Sequence, residues 1–108
     1  MSANAERVLD ALGDPTRRAV LRRLRGGARS VAEIAQGLEV SRPAVSQHLK
    51  VLKQAQLVSD RAQGTRRLYS VDARGFEAAR GWLDGFWDDA LAAFKRAAER
   101  EARRARER

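Results

Sequence analysis

The feature that most constrains the fold is a pair of short amphipathic segments, each preceded by a serine and separated by only a few residues. Ser30 and Glu33 have the spacing of a capping box, in which each side chain bonds the other residue's backbone N–H. Ser41 is a second N-cap, and apolar residues recur at helical spacing in 31–38 and in 45–52. Two capped helices joined by a tight turn at 39–41 predict a helix-turn-helix.

Further elements are predicted on both sides of this unit. Apolar spacing in 8–12 indicates a first helix, and Asp14 followed by Pro15 is typical of the start of a second. Strand-like segments flank the turn Gly64-Thr65, and apolar residues at helical spacing return from 82 to 94. The predicted fold is mainly α with a small β-hairpin, a winged helix-turn-helix. We expect residues 1–94 to form one domain and residues 95–108 to form a basic tail, frayed or disordered.

Composition narrows the function. The 108 residues include 22 Lys and Arg against 14 Asp and Glu, a net charge of +8 that favours a polyanionic partner. With no cysteine and one histidine, disulfides, thiolate metal sites and a His-rich zinc site within one chain are excluded. We expect no enzyme activity, because no nucleophile–base pair or Gly-rich phosphate loop is present. No secretory signal or membrane-spanning segment is predicted, so a cytoplasmic location is expected.

The second helix of the helix-turn-helix has the side chains of a DNA-reading helix. Its polar side is slim enough for a major groove, and glutamine can pair with adenine through two hydrogen bonds. Lys50 is better placed for a phosphate. The alternative is a three-helix packing unit with an ordinary solvated face. The residues on this side are Ser41, Arg42, Pro43, Ser46 and Gln47.

The hairpin and the last helix suggest two further contacts. Arg61, Arg66 and Arg67 flank the hairpin turn, which favours a wing that touches the DNA backbone or minor groove over a merely solvated edge.

The last helix has more apolar surface than a small domain needs at its end. A second copy of the chain would cover it most economically, although a purely internal helix is the alternative. Its aromatic residues are Trp82, Phe86, Trp87 and Phe94.

Three stretches carry a family resemblance. They are Gly13-Asp14-Pro15-Thr16-Arg17-Arg18, the run from Val40 to Leu52, and Leu57-Val58 with the hairpin. From about Val8 to Phe94 the chain resembles the ArsR-type family of bacterial winged-helix transcription regulators.

The resemblance implies a homodimer built from the first and last helices, bound to an imperfect palindrome. Arg66 and Arg67 match the family's wing. The implied DNA-facing positions are Ser41, Pro43, Ser46, Gln47 and His48. For His48, a phosphate contact or a hydrogen bond between helices is favoured over catalysis or ligand binding. The expected dimer interface comprises Val8, Leu9, Leu12, Trp82, Phe86, Trp87, Leu91 and Phe94.

The chain departs from the family pattern in two ways. Many members sense metals through cysteines in the third helix or through His and Asp in the last. Here the third helix has no thiol, and the last has Asp84, Asp88 and Asp89 but no histidine, so neither a metal nor another cofactor is expected. Gln56 also stands where members usually have glycine; if the bend needs a left-handed residue, this costs about 1–2 kcal/mol.

The resulting hypothesis is a sequence-specific DNA-binding transcriptional regulator, a repressor, acting as a homodimer on a palindromic operator. Double-stranded DNA and a second copy are the expected partners, a membrane is not, and a separate sensor protein is left open. The alternative is a basic protein-interaction or membrane-surface module without sequence-specific DNA binding.

Overall fold

The computed structural model describes residues 3–107 as helices around one antiparallel hairpin. Residues 1, 2 and 108 lie outside this range, and with them the expected start of the domain and the expected end of the tail. The winged helix-turn-helix fold class is confirmed. No helix in the described range combines the length and the apolarity needed to cross a bilayer. In chain order the elements are α1 (Ala3–Leu12), α2 (Pro15–Arg23), α3 (Val31–Gln36), α4 (Arg42–Gln54), β1 (Val58–Gln63), β2 (Arg66–Val71) and α5 (Ala73–Arg106).

Helix α4 lies at the centre of the domain. Its inner side chains Val45, Leu49 and Leu52 are fully buried, and the helix packs against α1, α2, α3 and β1. Burial of side chains of this size stabilises a fold by about 1.5–3 kcal/mol each. The surrounding core includes Val8, Val20, Leu24, Ile34, Leu57 and Val58.

The Asp-Pro-Thr-Arg-Arg motif joins α1 to α2 by capping both helix ends. Asp14 accepts the backbone N–H of Thr16 and of Arg17 at 2.8 and 3.1 Å, at the start of α2. Arg17 donates to the carbonyl of Ala11 at 2.7 Å, and Arg18 donates to that of Leu12 at 2.6 Å. These carbonyls belong to the end of α1, which has no intrahelical donors left and carries the negative end of the helix dipole.

The helix-turn-helix begins as the caps predict. Ser30 and Glu33 form the reciprocal capping box of α3. Ser41 caps α4 by accepting the N–H of Ala44 at 3.2 Å, and Val40 in the turn is partly buried against the core. The turn therefore fixes the angle at which α4 leaves α3.

The hairpin has the predicted turn and one pairing that was not predicted. Gln63 pairs with Arg66 across Gly64, whose φ of 62° suits a residue without a side chain. Arg29, just before α3, exchanges backbone hydrogen bonds of 3.0 and 2.8 Å with Tyr69 of β2. This bridge attaches the hairpin directly to the helix-turn-helix.

The corner after α4 has the hydrogen bonds of a Schellman motif, with Gln56 in the left-handed conformation. The N–H of Leu57 donates to Leu52 at 2.9 Å, and that of Gln56 donates to Lys53 at 3.0 Å. Gln56 has a φ of 60°, a conformation in which glycine is favoured. The sequence left open whether this bend needs a left-handed residue, and the structure shows that residue 56 does adopt that conformation.

Helix α5 starts against this corner. The N–H of Gly75 donates to the carbonyl of Gln56 at 2.9 Å. A Cβ on residue 75 would lie 2.6 Å from the carbonyl oxygen of Ala55, so only glycine fits this approach. From there α5 runs for 34 residues without interruption, and the described molecule is 75 Å long. The sequence placed a domain boundary at residue 94. The helix continues through Phe94 to Arg106, so no break in secondary structure marks that boundary.

Replacing Gln56 by glycine should stabilise the protein. The change relieves the left-handed strain at φ 60° while losing a weak side-chain bond from Asn4 of 3.3 Å. We expect the free energy of unfolding to rise by about 1 kcal/mol, measured by urea denaturation at fixed protein concentration. The control is Gln54→Gly at the last residue of α4, which has a right-handed conformation, so this change should lower the free energy of unfolding by up to about 0.5–1 kcal/mol and should not raise it. Equal losses from both substitutions would contradict the strain at position 56.

Candidate nucleic-acid interface

The outer side of α4 is a row of polar side chains held outward by the buried inner side. Ser41, Arg42, Pro43, Ser46, Gln47 and Lys50 are exposed. Within residues 3–107, the side chains of Arg42, Gln47 and Lys50 have no hydrogen bond or ion pair. Their donors and acceptors are therefore free for a ligand, whereas the hydroxyl of Ser41 caps its own helix.

His48 is half-buried at the edge of this row, near the cap of α2. The pKa of Asp14 lies below its ordinary value, chiefly because the Arg17 N–H donates to it, and the nearby His48 adds a small contribution. Within the described chain, His48 makes no hydrogen bond to another helix, so of its two expected roles only the phosphate contact stays a prediction.

Two of the three wing arginines are held by carboxylates of the same chain. Arg66 forms an ion pair with Glu33 of the α3 capping box. Arg67 bonds Asp60 of the facing strand at 2.9 Å. Arg61 is exposed and, within the described residues, has no such partner. The sequence placed all three beside the hairpin turn, and the resemblance singled out Arg66 and Arg67 for the wing. Of the three, only Arg61 lacks a carboxylate partner within the described residues.

Asp60 connects the wing to α4. One of its oxygens accepts from Lys53, in the last turn of α4, at 2.8 Å, and the other accepts from Arg67 at 2.9 Å. Its side chain is only 9% exposed, whereas those of Lys53 and Arg67 are each 55% exposed, so solvent screens these two pairs in part. The hydrogen bond from Lys53, assisted by Arg67, lowers the pKa of Asp60 below its ordinary value of 3.8. Asp60 therefore stays charged at neutral pH and fixes the base of the wing to the end of α4.

Three charged residues at this surface, Asp60, Lys53 and Glu33, have no counterpart among the predicted site residues. A signal for Asp60 was present, because the turn at Gly64-Thr65 sets a register in which Ala62 faces Arg67. Asp60 is then the diagonal neighbour of Arg67, within reach of a long side chain. The pairing of Glu33 with Arg66 depends on the tertiary docking of the wing and has no local signal.

A second surface lies along α5. Leu83, Phe86, Trp87, Leu91 and Phe94 are 47–73% exposed, and Trp82 stacks on Phe86 with ring centroids 5.7 Å apart. Only Gly75 and Ala79 of the described α5 are buried. This apolar stripe is larger than the scattered hydrophobic residues of an ordinary surface.

The α1 residues expected beside this stripe fall into two groups. Leu9 and Leu12 are half-buried and border solvent. Val8 is fully buried in the core of its own chain and offers no surface to a partner. Its predicted place in the dimer interface is therefore wrong, and it is a core residue. Its position on α1 faces inward because α1 packs against α5, α2 and α4, and Val8 belongs to the core that these helices share.

Between residues 3 and 107, no group of three or more His, Asp or Glu side chains is close enough to hold a metal ion.

Comparisons with known proteins agree with this geometry. A family model described as a helix-turn-helix domain matches residues 12–61. The HTH-type transcriptional regulator Rv2034 of Mycobacterium tuberculosis is 55% identical over 89 residues, which cover 82% of this chain and 83% of that protein. The transcriptional repressor SdpR of Bacillus subtilis is 37% identical over 79 residues, which cover 73% of this chain and 88% of the repressor.

Two solved structures are similar across most of the chain. An ArsR-like transcriptional regulator from Rhodococcus sp. RHA1 has a TM-score of 0.73 and 32% identity, covering 89% of this chain and 93% of its own. A homodimeric winged helix-turn-helix DNA-binding domain from Mycobacterium bovis has a TM-score of 0.62 and 31% identity, covering 82% of each chain.

Removing the charge of Asp60 should destabilise the protein in a pH-dependent way. Asp60→Asn should lower the free energy of unfolding by about 1–2 kcal/mol at neutral pH. Because the folded-state pKa is lowered, the stabilisation is present above the ordinary value of 3.8 and is lost as pH falls through the folded-state pKa. The urea midpoints of variant and parent should therefore converge as the pH falls below 3.8.

The matched control is Asp89→Asn. Asp89 is exposed on α5 and has no ion-pair partner in the described range, so the change should stay within about 0.5 kcal/mol. An equal effect of the two substitutions at neutral pH would show that Asp60 does not secure the wing.

Proposed function

The chain belongs to the ArsR-type family of winged helix-turn-helix transcriptional regulators, and we propose that it represses transcription as a homodimer bound to a palindromic operator. The single observation that carries the proposal is the free polar face of α4, where Arg42, Gln47 and Lys50 lack partners in the described chain. Three fully buried side chains on the opposite face hold that surface outward.

The side chains of α4 divide between base contacts and phosphate contacts. Gln47 can donate to N7 and accept from N6 of adenine in the major groove, and Ser46 beside it can bond either base type. Arg42 and Lys50 are long cations at the margins of the same face, which suits phosphate oxygens. His48 and the exposed ring of Pro43 would border the groove. Base contacts give discrimination, while the phosphate contacts supply much of the affinity and its salt dependence.

The three wing arginines make unequal contributions in this proposal. Arg61 can bind a phosphate without giving up any internal contact. Arg66 and Arg67 must leave Glu33 and Asp60, or share them, before they reach the DNA. Both keep more than half of their side-chain surface exposed, so phosphate access is not blocked. The carboxylates offset part of the gain from each of these two contacts.

A second copy of the chain would cover the α5 stripe. The stripe is exposed in the single chain, and the structurally similar Mycobacterium bovis domain is homodimeric. Leu9 and Leu12 of α1 would extend the interface at its edge. A two-fold dimer presents two copies of α4, so the operator should have half-sites about one DNA turn, or a multiple of it, apart.

Several finer assignments belong to the same proposal. Occupation of a promoter fits repression, and a relative of 37% identity is named a repressor. The protein would act in the compartment that holds the DNA, which in a bacterium is the cytoplasm. Residues 1–94 would form the DNA-binding and dimerisation domain, with residues 95–108 as its basic extension. A separate sensor protein stays a prediction, and the membrane-surface alternative is not favoured.

Gln47→Ala tests base reading. A preferred duplex is first obtained by repeated selection from random sequences. The substitution should then cost about 1–3 kcal/mol per half-site and relax the preference at one base position in each half-site, measured by fluorescence anisotropy.

Lys50→Ala is the control for Gln47→Ala. It removes one phosphate contact in each half-site, so it should weaken binding to all duplexes alike and reduce the slope against salt concentration by about two for the dimer. An unchanged base preference in Gln47→Ala would remove this side chain from sequence readout.

Charges on the α5 stripe should separate the dimer. The double variant Trp87→Glu and Leu91→Glu should sediment as a folded monomer, because both side chains are 47% or more exposed and support no core of their own chain. Its affinity for the preferred duplex should fall at least about a hundredfold, since one half-site contact is lost. A variant that still sediments as a dimer would place the interface elsewhere.

A further inference from the structure

A cavity of about 320 Å³ lies where the end of α1, the outer side of α2, the end of β2 and the start of α5 meet. Neither α4 nor the turn of the hairpin contributes to it. Its apolar lining is Leu12, Leu21, Val71 and Phe76, and its basic lining is Arg18, Arg22 and Arg25. The volume is at the lower end of the range for small-molecule sites in proteins.

The basic side of the cavity is a row of like charges. Arg18, Arg22 and Arg25 are spaced by four and three residues, which puts them on one side of α2 and the turn that ends it. Among the described residues, no acidic side chain lines the cavity, and the guanidinium groups of Arg22 and Arg25 have no partner. Arg18 is fixed at the rim by its 2.6 Å bond to the carbonyl of Leu12. Like charges at this spacing repel one another, and a bound anion would relieve the repulsion.

The apolar side distinguishes this place from a simple phosphate contact. Val71 is 44% exposed and Phe76 is 37% exposed, and both border the same space as the arginines. A DNA phosphate would engage the guanidinium groups and leave these apolar side chains in water. A ligand with an anionic head and an apolar body satisfies both sides at once.

A larger cavity of about 550 Å³ between α1 and α4 does not have this complementarity. Its charged lining is mixed, with Asp10 beside Arg7 and Arg17. The guanidinium group of Arg17 already donates to the carbonyls of Asp10 and Ala11 at the end of α1. The lining of that cavity therefore favours neither an anionic nor a cationic ligand.

We propose that the cavity of Arg18, Arg22 and Arg25 binds a small amphipathic carboxylate, with the carboxylate on the arginines and the hydrocarbon against Val71 and Phe76. The elements around it also carry the α1 and α5 surfaces of the dimer and the second strand of the wing. An effect of the ligand on operator binding would arise by thermodynamic linkage between the two sites, and that part of the inference rests on the proposed function. Binding of the carboxylate to the cavity does not depend on the proposed function.

The direct test is isothermal titration of the full-length protein, without DNA, with butanoate, hexanoate and octanoate. Octanoate should bind saturably, and affinity should rise roughly threefold to fourfold per added methylene. Octan-1-ol, which has a similar chain and no charge, should bind at least about tenfold more weakly than octanoate. Absence of saturable octanoate binding, or equal binding of the alcohol, would overturn the proposal.

Three variants locate the site. The double variant Arg22→Gln and Arg25→Gln removes two exposed, unpaired cations and should reduce octanoate affinity at least about tenfold. Arg96→Gln with Arg100→Gln on the exposed end of α5 removes the same charge and should leave the affinity unchanged. Phe76→Gln keeps the charge and should flatten the dependence on chain length. Equal losses in the two double variants would show nonspecific attraction and contradict the site.

DNA and a second copy of the chain are the other ligands that could occupy this cavity, and each predicts results different from those of a carboxylate. If the arginines serve DNA, Arg22→Gln with Arg25→Gln weakens duplex binding without octanoate, and the parent does not bind octanoate. If a second copy fills the cavity, the same variant alters sedimentation and octanoate again does not bind. Either result overturns the carboxylate site. Operator binding by Gln47→Ala and by the parent is measured without octanoate, so failure of the proposed function is seen separately.

Discussion

Burial of one face of α4 is the constraint on which the other features depend. Val45, Leu49 and Leu52 have no exposed surface, and the elements they touch come from almost the whole length of the domain. Because α4 is a single helix, fixing its inner face also fixes the direction of Gln47 and Lys50 on the outer face. A recognition surface built on a packed helix keeps its geometry before DNA arrives, so little ordering cost remains to be met on binding.

Charges of the same chain adjust how strongly this surface attracts DNA. The net charge of +8 draws the protein to any polyanion, which helps association and does not distinguish sequences. Glu33 and Asp60 neutralise Arg66 and Arg67 locally, and Asp60 also holds the end of α4 through Lys53. The same carboxylates therefore orient the wing and limit its nonspecific attraction. In the proposed complex, discrimination between sequences would come from the uncharged side chains of α4.

Much of the fold could be predicted because its signals are local. Ser30, Ser41 and Asp14 act within three residues of themselves, and the Gly64-Thr65 turn sets its own hairpin. Gln56 was noticed because members of the resembled family usually have glycine there, and the structure places it in the left-handed conformation. These features depend on backbone geometry that a short stretch of sequence determines.

The unpredicted features depend on which segments meet in three dimensions. Arg29 pairs with Tyr69, forty positions away, and Glu33 holds Arg66 only because the wing docks beside α3. Val8 was assigned to the dimer surface from the resemblance, yet it is fully buried in the core of its own chain. The free face of α4 was predicted correctly, whereas the pairing of the wing arginines was not, because charge alone does not show which cation has a carboxylate beside it.

The measurement that tests the central claim most directly is dimethyl sulfate protection on a selected operator, which reports access to guanine N7 in the major groove. If two paired chains insert α4, protection appears in two major-groove patches with centres about 10–10.5 base pairs apart, or a multiple of that spacing. Protection of a single patch, or complex formation that leaves every guanine N7 reactive, would contradict the account.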